Sequence, residues 1–364
     1  MIEVFKKLYV VFILELSFYL SISEAPGGNG LTYIEYNSHA YPTSFTLANK
    51  QLLLAYSEGL FLYDSEFYNE TSILNITLGE GDIKNIQIKQ FSESDGGYIL
   101  IIAKNTLYVF DSNLNNYTEQ NITNEGTIQN LIVIKKEGNF LYYTTNSFNS
   151  LKLYFYIYYY KYDLNTNSSV IINSKTYDSE GWLTLAKCVW MIPKSSNKNL
   201  ITCFYLFSDA KLYTSSFDLE NNLTKIDEYN KTKDGTIQFT LLYLETNEDK
   251  SKCLLIGVDY SSTTQWLTFD ISNNIFSETN NLDYLCGSHS QERVRFYYFP
   301  SNQEYVYICL SYTACQFYAS SFGVDFKSGI SIKYLMNKCC NSIGISLFYS
   351  EKLGNYSVIA GVSK

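Results

Sequence analysis

Residues 98–111 read YILIIAKNTLYVFD: an apolar run, a short polar turn, and a second apolar run that ends in Phe110-Asp111. Both runs are rich in β-branched and aromatic residues, which favour strands. An aspartate at the end of the second run suits a turn, because its carboxylate accepts hydrogen bonds from the backbone that follows. The stretch therefore predicts a β-hairpin that ends in an aspartate-initiated turn.

The same pattern recurs along the chain with a period of roughly fifty residues, as expected of a repeat architecture. The aspartates that end the second run are Asp64, Asp111, Asp163, Asp218 and Asp270, spaced by 47, 52, 55 and 52 residues. A sixth unit at 305–312 and 315–322 has Gly323 in place of the aspartate, and a seventh at 342–349 and 356–362 stops after two strands.

Most units have a further strand before the pair, at 83–91, 126–134, 237–244 and 293–299. Four strands in about fifty residues are typical of a propeller blade. The sequence thus predicts an all-β fold, a β-propeller of six to seven four-stranded blades over residues 41–364 with an incomplete last blade. The segment 24–40 offers a ring-closing strand at 31–37. A set of separate β-sandwich domains is the alternative.

The aromatic-Asp ending resembles the Trp-Asp ending of the WD40 repeat. The resemblance covers residues 40–364 in rhythm, but the Gly-His element of that family is absent and the spacing here is longer. It therefore implies the propeller architecture and not membership of the WD40 family.

The first 23 residues have the order of a secretory signal peptide. Lys6 and Lys7 precede a nearly continuous apolar segment at 8–22, and Ser21-Ile22-Ser23 offers small residues for a cut after Ser23. The apolar segment is too short to span a bilayer. No later segment predicts a membrane span, so we expect a secreted or extracellular protein. A longer parent, anchored beyond Lys364, is the alternative that would make this chain an ectodomain.

The eight cysteines fit an exported protein with disulfides. A hairpin centred on residues 195–196 places Cys188 directly opposite Cys203, which predicts a disulfide. Cys309 and Cys315 are predicted to bridge the next such hairpin. The other four cysteines cannot be paired from the sequence, and no spacing indicates a zinc site.

Asn-x-Ser/Thr motifs predict N-glycosylation in polar turns between the strands. The acceptors are Asn69, Asn75, Asn116, Asn121, Asn167, Asn222, Asn230 and Asn355.

Composition restricts the function. A net charge of −9 argues against a nucleic-acid partner, since phosphate binding needs a basic surface. The two histidines, His39 and His289, are predicted to lie in exposed loops, and no nucleophile elbow, phosphate loop, dinucleotide fingerprint or calcium loop occurs. We therefore expect neither a cofactor nor a metal, and no catalytic residues are predicted.

The most unusual local stretch is Tyr154-Phe155-Tyr156-Ile157-Tyr158-Tyr159-Tyr160. In a strand, four of its tyrosines share one face, which is either packed between blades or a partner-binding patch. The sequence as a whole predicts a non-catalytic binding or adhesion module for an unknown protein or glycan. The alternatives are an extracellular propeller hydrolase acting on carbohydrate and the truncated ectodomain of a membrane receptor.

Overall fold

The structure is a computed structural model, and every element that it describes is a β-strand. It describes residues 8–15, 23–24, 32–36, 43–46, 52–56, 59–63, 70–74, 87–91, 97–103, 105–122, 125–149, 154–178, 183–207, 212–231, 240–258, 264–277, 280–281, 294–299, 304–311, 316–323, 326, 328–335, 341–350 and 355–363. Within these residues, no helix has the length and apolar character required to cross a membrane.

The strands form seven sheets, numbered here as blades 1 to 7. The N-terminal strands are β1 (Leu8–Glu15), β2 (Ser23–Glu24) and β3 (Thr32–Tyr36). Blade 1 holds β4 (Thr43–Thr46), β5 (Leu52–Tyr56), β6 (Gly59–Tyr63) and β7 (Glu70–Leu74). Blade 2 holds β8 (Gln87–Gln90), β9 (Ile99–Ala103), β10 (Thr106–Phe110) and β11 (Tyr117–Asn121). Blade 3 holds β12 (Thr127–Glu137), β13 (Phe140–Asn149), β14 (Tyr154–Asp163) and β15 (Ser168–Asp178).

The second half of the chain continues the pattern. Blade 4 holds β16 (Leu183–Met191), β17 (Leu200–Phe207), β18 (Leu212–Asp218) and β19 (Thr224–Lys231). Blade 5 holds β20 (Thr240–Thr246), β21 (Lys252–Val258), β22 (Thr264–Asp270), β23 (Ile275–Phe276) and β24 (Asn280–Asn281). Blade 6 holds β25 (Val294–Phe299), β26 (Glu304–Ser311), β27 (Gln316–Gly323) and β28 (Ser328–Leu335). The chain then adds β29 (Asn341–Ser350) and β30 (Asn355–Ser363) to blade 7.

Each blade from 1 to 6 is antiparallel and follows chain order from its first strand outward. The first strands contact one another in succession from β8 through β12, β16, β20 and β25 to β29, and β29 contacts β4. Leu53 and Leu60 of blade 1 pack in one core cluster with Ile99 and Ile101 of blade 2. Blade 7 therefore lies beside blade 1, blade 1 beside blade 2, and the seven sheets close into a ring.

Blade 7 joins the two ends of the described chain. Its C-terminal part contributes only β29 and β30, as the incomplete last repeat predicted. The remaining strands come from the N-terminal region, in the sheet order β2-β3-β1-β30-β29. β1 runs parallel to both β30 and β3, so the predicted ring-closing segment, observed as β3, is separated from β30 by one strand.

The core lies between the blades, where large side chains fill the space between neighbouring sheets. One cluster joins blades 2 and 3, a second joins blades 3 and 4, and a third joins blades 4 and 5. Trp266 of blade 5 packs edge-on against Phe322 of blade 6, with ring centroids 5.3 Å apart. The aromatic residues that make up 17% of the chain thus supply much of this wedge-shaped packing.

Register shifts recur at equivalent places in the blades. In β12, β16, β20 and β29, one shift lies next to the start of the strand. A second type lies in the fourth strand of blades 3 and 4, where Ile172 and Ile226 are the unpaired residues. Bulges of this kind increase strand twist and redirect side chains. Both isoleucines are exposed, at 40% and 39%.

Candidate functional site: the outer edge of blade 3

The structure joins Cys188 and Cys203 in a disulfide at the directly opposed positions that the hairpin predicted. Both cysteines are buried between blades 3 and 4. Cys253 is a free, buried thiol whose pKa is raised by burial and by the nearby Glu245. Cys315 and the side chain of Cys309 lie outside the described residues, so that second bridge remains a prediction.

Four predicted glycosylation acceptors lie on the described surface. Their side chains are exposed, at Asn116, Asn121, Asn167 and Asn222. Asn121 and Asn167 use their side-chain oxygens as hydrogen-bond acceptors, from Thr106 and Tyr162. The other four acceptors, Asn69, Asn75, Asn230 and Asn355, have side chains outside the described residues. Accessibility is compatible with glycosylation at the first four, and glycosylation itself remains a prediction.

The tyrosine-rich strand β14 is packed between blades. Tyr156, Tyr158 and Tyr160 are buried against blade 2, whereas Phe155 and Tyr159 face blade 4. The two faces are those that strand alternation predicts. Of the two roles open to the all-tyrosine face, the structure has packing and not an exposed partner-binding patch.

The repeated aspartates lie at one end of the propeller, called here the turn face. It carries the turns after the first and third strands of each blade. At Asp111, Asp163, Asp218 and Asp270, one carboxylate oxygen accepts the backbone amide two residues downstream, at 2.9–3.1 Å. Asp64 lies outside the described residues. The predicted aspartate-initiated turn is therefore present at all four described positions.

The turn face of blades 4 and 5 is held by a polar network. The Lys194 amide donates to Ser272 Oγ at 2.9 Å, and Lys194 Nζ lies 3.1 Å from Asp249 Oδ2. Burial disfavours ionisation of Asp249, but hydrogen bonds from Ser251 and the charge of Lys194 outweigh it and lower its pKa to about 2. These contacts join one blade to the next.

The innermost strands of the blades, which line the central channel, carry few acidic residues. The seven innermost strands contain two carboxylates, Glu137 and Glu245. Among the residues described, no group of three or more His, Cys, Asp and Glu side chains is arranged to hold a metal ion.

Tyr156 and Glu125 form a hydrogen-bonded phenol–carboxylate pair. Tyr156 Oη donates to Glu125 Oε2 at 2.8 Å. Burial, this hydrogen bond and the charge of Glu125 raise the pKa of Tyr156 to about 12. A nucleophilic tyrosine needs the opposite shift. The pair instead fixes the loop before β12, since Ser147 Oγ also donates to the Glu125 carbonyl at 2.6 Å.

The outer edge of blade 3 combines exposed apolar side chains with an open strand. β15 is the last strand of its sheet, and among the described residues no strand pairs with its outer side. Val170, Ile171 and Ile172 are exposed at 57%, 46% and 40%. They form a consecutive run, whereas the other large exposed apolar side chains among those described are single, at Tyr117, Ile226 and Ile275.

A side-chain amide already pairs with the start of this edge. Gln120 of blade 2 accepts a hydrogen bond from the Ser169 amide at 2.6 Å, and its Nε2 donates to the Ser169 carbonyl at 3.4 Å. This donor–acceptor exchange matches the one between hydrogen-bonded residues of antiparallel strands. We call the segment Ser169–Ile172 and its outer backbone groups the β15 edge.

Sequence reasoning missed the β15 edge. It predicted a short strand after each aspartate turn but assigned no role to the run Val170-Ile171-Ile172. The available signal was the break in alternation, since three consecutive apolar residues cannot all face the core of a strand. The contact from Gln120 links positions 49 residues apart and had no sequence signal.

The fold agrees with comparisons against solved structures. The chain is similar to the β-propeller domain of Nup133 from Vanderwaltozyma polyspora, with a TM-score of 0.54 and 11% identity over 88% of this chain and 93% of that one. It is also similar to the β-propeller domain of Cps50 (Swd1) from Myceliophteria thermophila, with a TM-score of 0.51 and 9% identity over 89% and 98%.

No protein-family profile matches the sequence, and a comparison with curated proteins finds no relative. At these identities the structural similarity establishes the fold alone. With the seven sheets and their ring closure, it establishes that the chain is a β-propeller, which confirms the predicted fold class and the architecture that the aromatic-Asp repeat implied.

Proposed function

We propose that this β-propeller is a secreted or surface-displayed, non-catalytic binding module whose partner is an extended protein segment that adds a strand to the β15 edge. The observation that supports this proposal best is the pairing of Gln120 with Ser169, at 2.6 and 3.4 Å. An amide group in this position makes the hydrogen bonds that a partner's peptide group makes in strand addition.

The side chains next to that contact suit an apolar partner segment. Val170, Ile171 and Ile172 present branched aliphatic surface beside the open backbone edge, and they carry no charge. Exposed edges in soluble proteins are usually protected by charge, proline or a covering element. The run Val170-Ile171-Ile172 has no charge or proline within it, and is therefore better suited to binding a protein strand than a glycan, for which hydroxyl-binding polar groups would be needed.

The proposed location rests on the sequence. Lys6, Lys7 and the apolar segment 8–22 have the order of a signal peptide, and cleavage is expected after Ser23. The buried Cys188–Cys203 disulfide is of the kind that persists in oxidising compartments. Expression with the native N-terminus in a secretory cell line, followed by N-terminal sequencing, tests this part. Glu24 is the expected first residue, and an intact Met1 in the cell lysate with no protein in the medium contradicts it.

Selection of a displayed library of random twelve-residue peptides on the purified protein tests the binding mode. Selected peptides are expected to slow amide hydrogen exchange in Val170–Ile172, since the Ser169 amide is already bonded to Gln120. The double variant Val170→Lys/Ile172→Lys is expected to weaken their binding at least tenfold. Ile275→Lys is the matched control, because Ile275 is exposed at 57% on blade 5 and lies in another sheet.

Two outcomes contradict strand addition. Peptides that bind the double variant as well as the native protein place the site elsewhere. Binding of a glycan array with no dependence on residues 170 and 172 favours the glycan alternative. The variant Gln120→Ala sharpens the test, because it frees the Ser169 backbone and is expected to extend the protected segment to that residue.

A further inference from the structure

A small group of polar side chains is buried between blades 3 and 4. Thr144 and Asn146 of β13 are each 1% exposed. The side-chain oxygen of Asn130, on β12, is also inaccessible to solvent. We call these three residues the polar seam. It lies in an interface that also includes Ile134, Phe155, Tyr205 and the Cys188–Cys203 disulfide.

The strand register places the three side chains on one face. Asn130 is directly opposite Asn146 in the β12–β13 pair. Thr144 lies two residues before Asn146 and therefore on the same face of β13. Tyr142 and Phe148, which share this face of β13, pack in the cluster between blades 3 and 4. The seam therefore faces blade 4. Asn130 Nδ2 contacts that blade directly, donating to the Cys188 carbonyl at 2.6 Å.

The remaining polar atoms of the seam have no partner in the described part of the chain. They are Asn130 Oδ1, Thr144 Oγ1 and both Oδ1 and Nδ2 of Asn146. Buried polar groups are nearly always hydrogen-bonded to protein or to ordered water, since leaving one unbonded loses the full free energy of its hydration.

The chemistry of these atoms specifies what binds them. The set contains two amide oxygens, one amide N–H donor group and one hydroxyl that both donates and accepts. It has no charge, which disfavours a metal ion or an anion. A water molecule has two donors and two acceptors, and buried waters typically make about three hydrogen bonds each. One or two waters satisfy the four atoms.

We propose that the polar seam is an internal water-binding site, in which one or two ordered waters bridge Asn130, Thr144 and Asn146 and couple blade 3 to blade 4. The site differs from the β15 edge and does not depend on the proposed function. It explains why polar side chains occupy positions that apolar ones would otherwise fill.

A crystal structure of the complete mature protein at about 1.5 Å resolution tests the site, because ordered waters with about three hydrogen bonds are well defined there. We expect one or two waters within about 2.7–3.2 Å of Asn146 Oδ1 and Nδ2. Water-to-amide nuclear Overhauser effects in solution provide a second measurement, with the expected cross-peaks at the Asn146 side-chain amide.

Variants separate this site from ordinary packing. Asn146→Leu is expected to expel the water that bonds the residue 146 side chain, and Thr144→Val to remove one water contact. Ser147→Ala is the matched control, since Ser147 lies on the opposite face of β13 and bonds to Glu125. An anhydrous seam in the native protein, with Asn146 rotated to bond Asn130 directly, overturns the proposal even if no variant folds.

Discussion

The aspartates that follow an aromatic residue act locally. Each accepts the amide two residues downstream, and the number of bonds varies from turn to turn. Asp111 accepts from the amides of Asn113 and Asn115 and from the side chain of Asn116. Asp163 accepts the Asn165 amide at 2.9 Å. The same residue type therefore stabilises its turn to different degrees.

Replacing these aspartates tests their unequal contributions. Asp111→Ala removes three hydrogen bonds and is expected to lower the free energy of unfolding by ~1–2 kcal/mol, in the range of a lost cap. Asp163→Ala removes fewer and is expected to cost ~0.5–1 kcal/mol. Urea unfolding measures both. Asp111→Asn keeps one oxygen acceptor for the two backbone amides but replaces the acceptor of Asn116 Nδ2 with an NH2 donor, so its stability should lie between those of the native protein and Asp111→Ala. Equal losses at both positions contradict the ranking.

Lys187 gives the protein a pH dependence above neutrality. Burial lowers the pKa of Lys187 to about 7, although part of its side chain reaches solvent. In the unfolded chain a lysine titrates near ~10.4, so the unfolded state binds more protons between these two pH values. Stability therefore rises as pH increases from about 7 towards 10, because the unfolded chain progressively loses the advantage of a proton that the folded state has already released.

Thermal unfolding at several pH values measures this effect. Between about pH 7 and pH 10 we expect a gain of ~1–2 kcal/mol from this residue, since one pKa unit is worth ~1.4 kcal/mol and partial exposure reduces the total. Lys187→Met should abolish that rise relative to the native protein. Lys175→Met, at an exposed lysine of β15, is the control and should preserve it. A Lys187→Met curve parallel to the native one contradicts the assignment.

At the scale of the strand, the distance from a glycine α-carbon to neighbouring backbone atoms decides whether that position tolerates a side chain. Gly126 precedes β12 with φ of +87°, and a Cβ there would lie 2.4 Å from the Phe148 carbonyl oxygen. Gly138, in the β12–β13 turn, has φ of +56° but open space around its α-carbon. The two glycines share a backbone requirement and differ in their surroundings.

Alanine substitution at both positions separates the two effects. Gly138→Ala carries only the cost of a left-handed backbone and is expected to lose ~1 kcal/mol of stability. Gly126→Ala adds a clash with backbone atoms and is expected to lose more than ~3 kcal/mol or to prevent folding. Chemical denaturation and expression yield provide the measurement. Similar losses for the two variants would mean that the β13 backbone moves aside without cost.

Elements set by local pattern were predictable, whereas contacts between blades were not. The hairpin at 98–111, the aspartate turns and the Cys188–Cys203 pairing depend on alternation and turn residues that the sequence displays directly. The register shift that exposes Ile172 depends on the twist of β14 against β15. The polar seam and the Gln120–Ser169 contact arise from the stacking of whole blades, and a single sequence carries no periodic signal for either.

For the molecule as a whole, blade 7 closes the ring, because it lies between blade 6 and blade 1. Its first strand β29 contacts both β25 and β4. Without β29 and β30, blades 6 and 1 lose their neighbour, and the apolar surface between them is exposed. Each blade depends on stacking for burial, so the loss is expected to spread beyond blade 7.

Truncation tests this dependence. A chain of residues 24–364, the expected mature protein, should unfold in one cooperative calorimetric transition. A chain of residues 24–340 lacks β29 and β30 and should unfold at lower temperature in a broader transition, with increased binding of a hydrophobic dye. If the shorter chain keeps the transition of the longer one, blade 7 does not contribute to the cooperativity of the ring.

The contact of β29 with β4 has a consequence for the order of folding. β4 begins at Thr43 and β29 at Asn341, so this contact joins an early segment of the chain to a late one. Blades 2 to 6 are each built from consecutive strands and are free to form while the ribosome is still translating. The ring closes only after β29 and β30 have been synthesised, because the contact of β29 with β4 has high contact order and slow loop closure. A nascent chain paused before residue 341 is therefore an open arc with two unsatisfied ends, the state in which this protein most needs a chaperone.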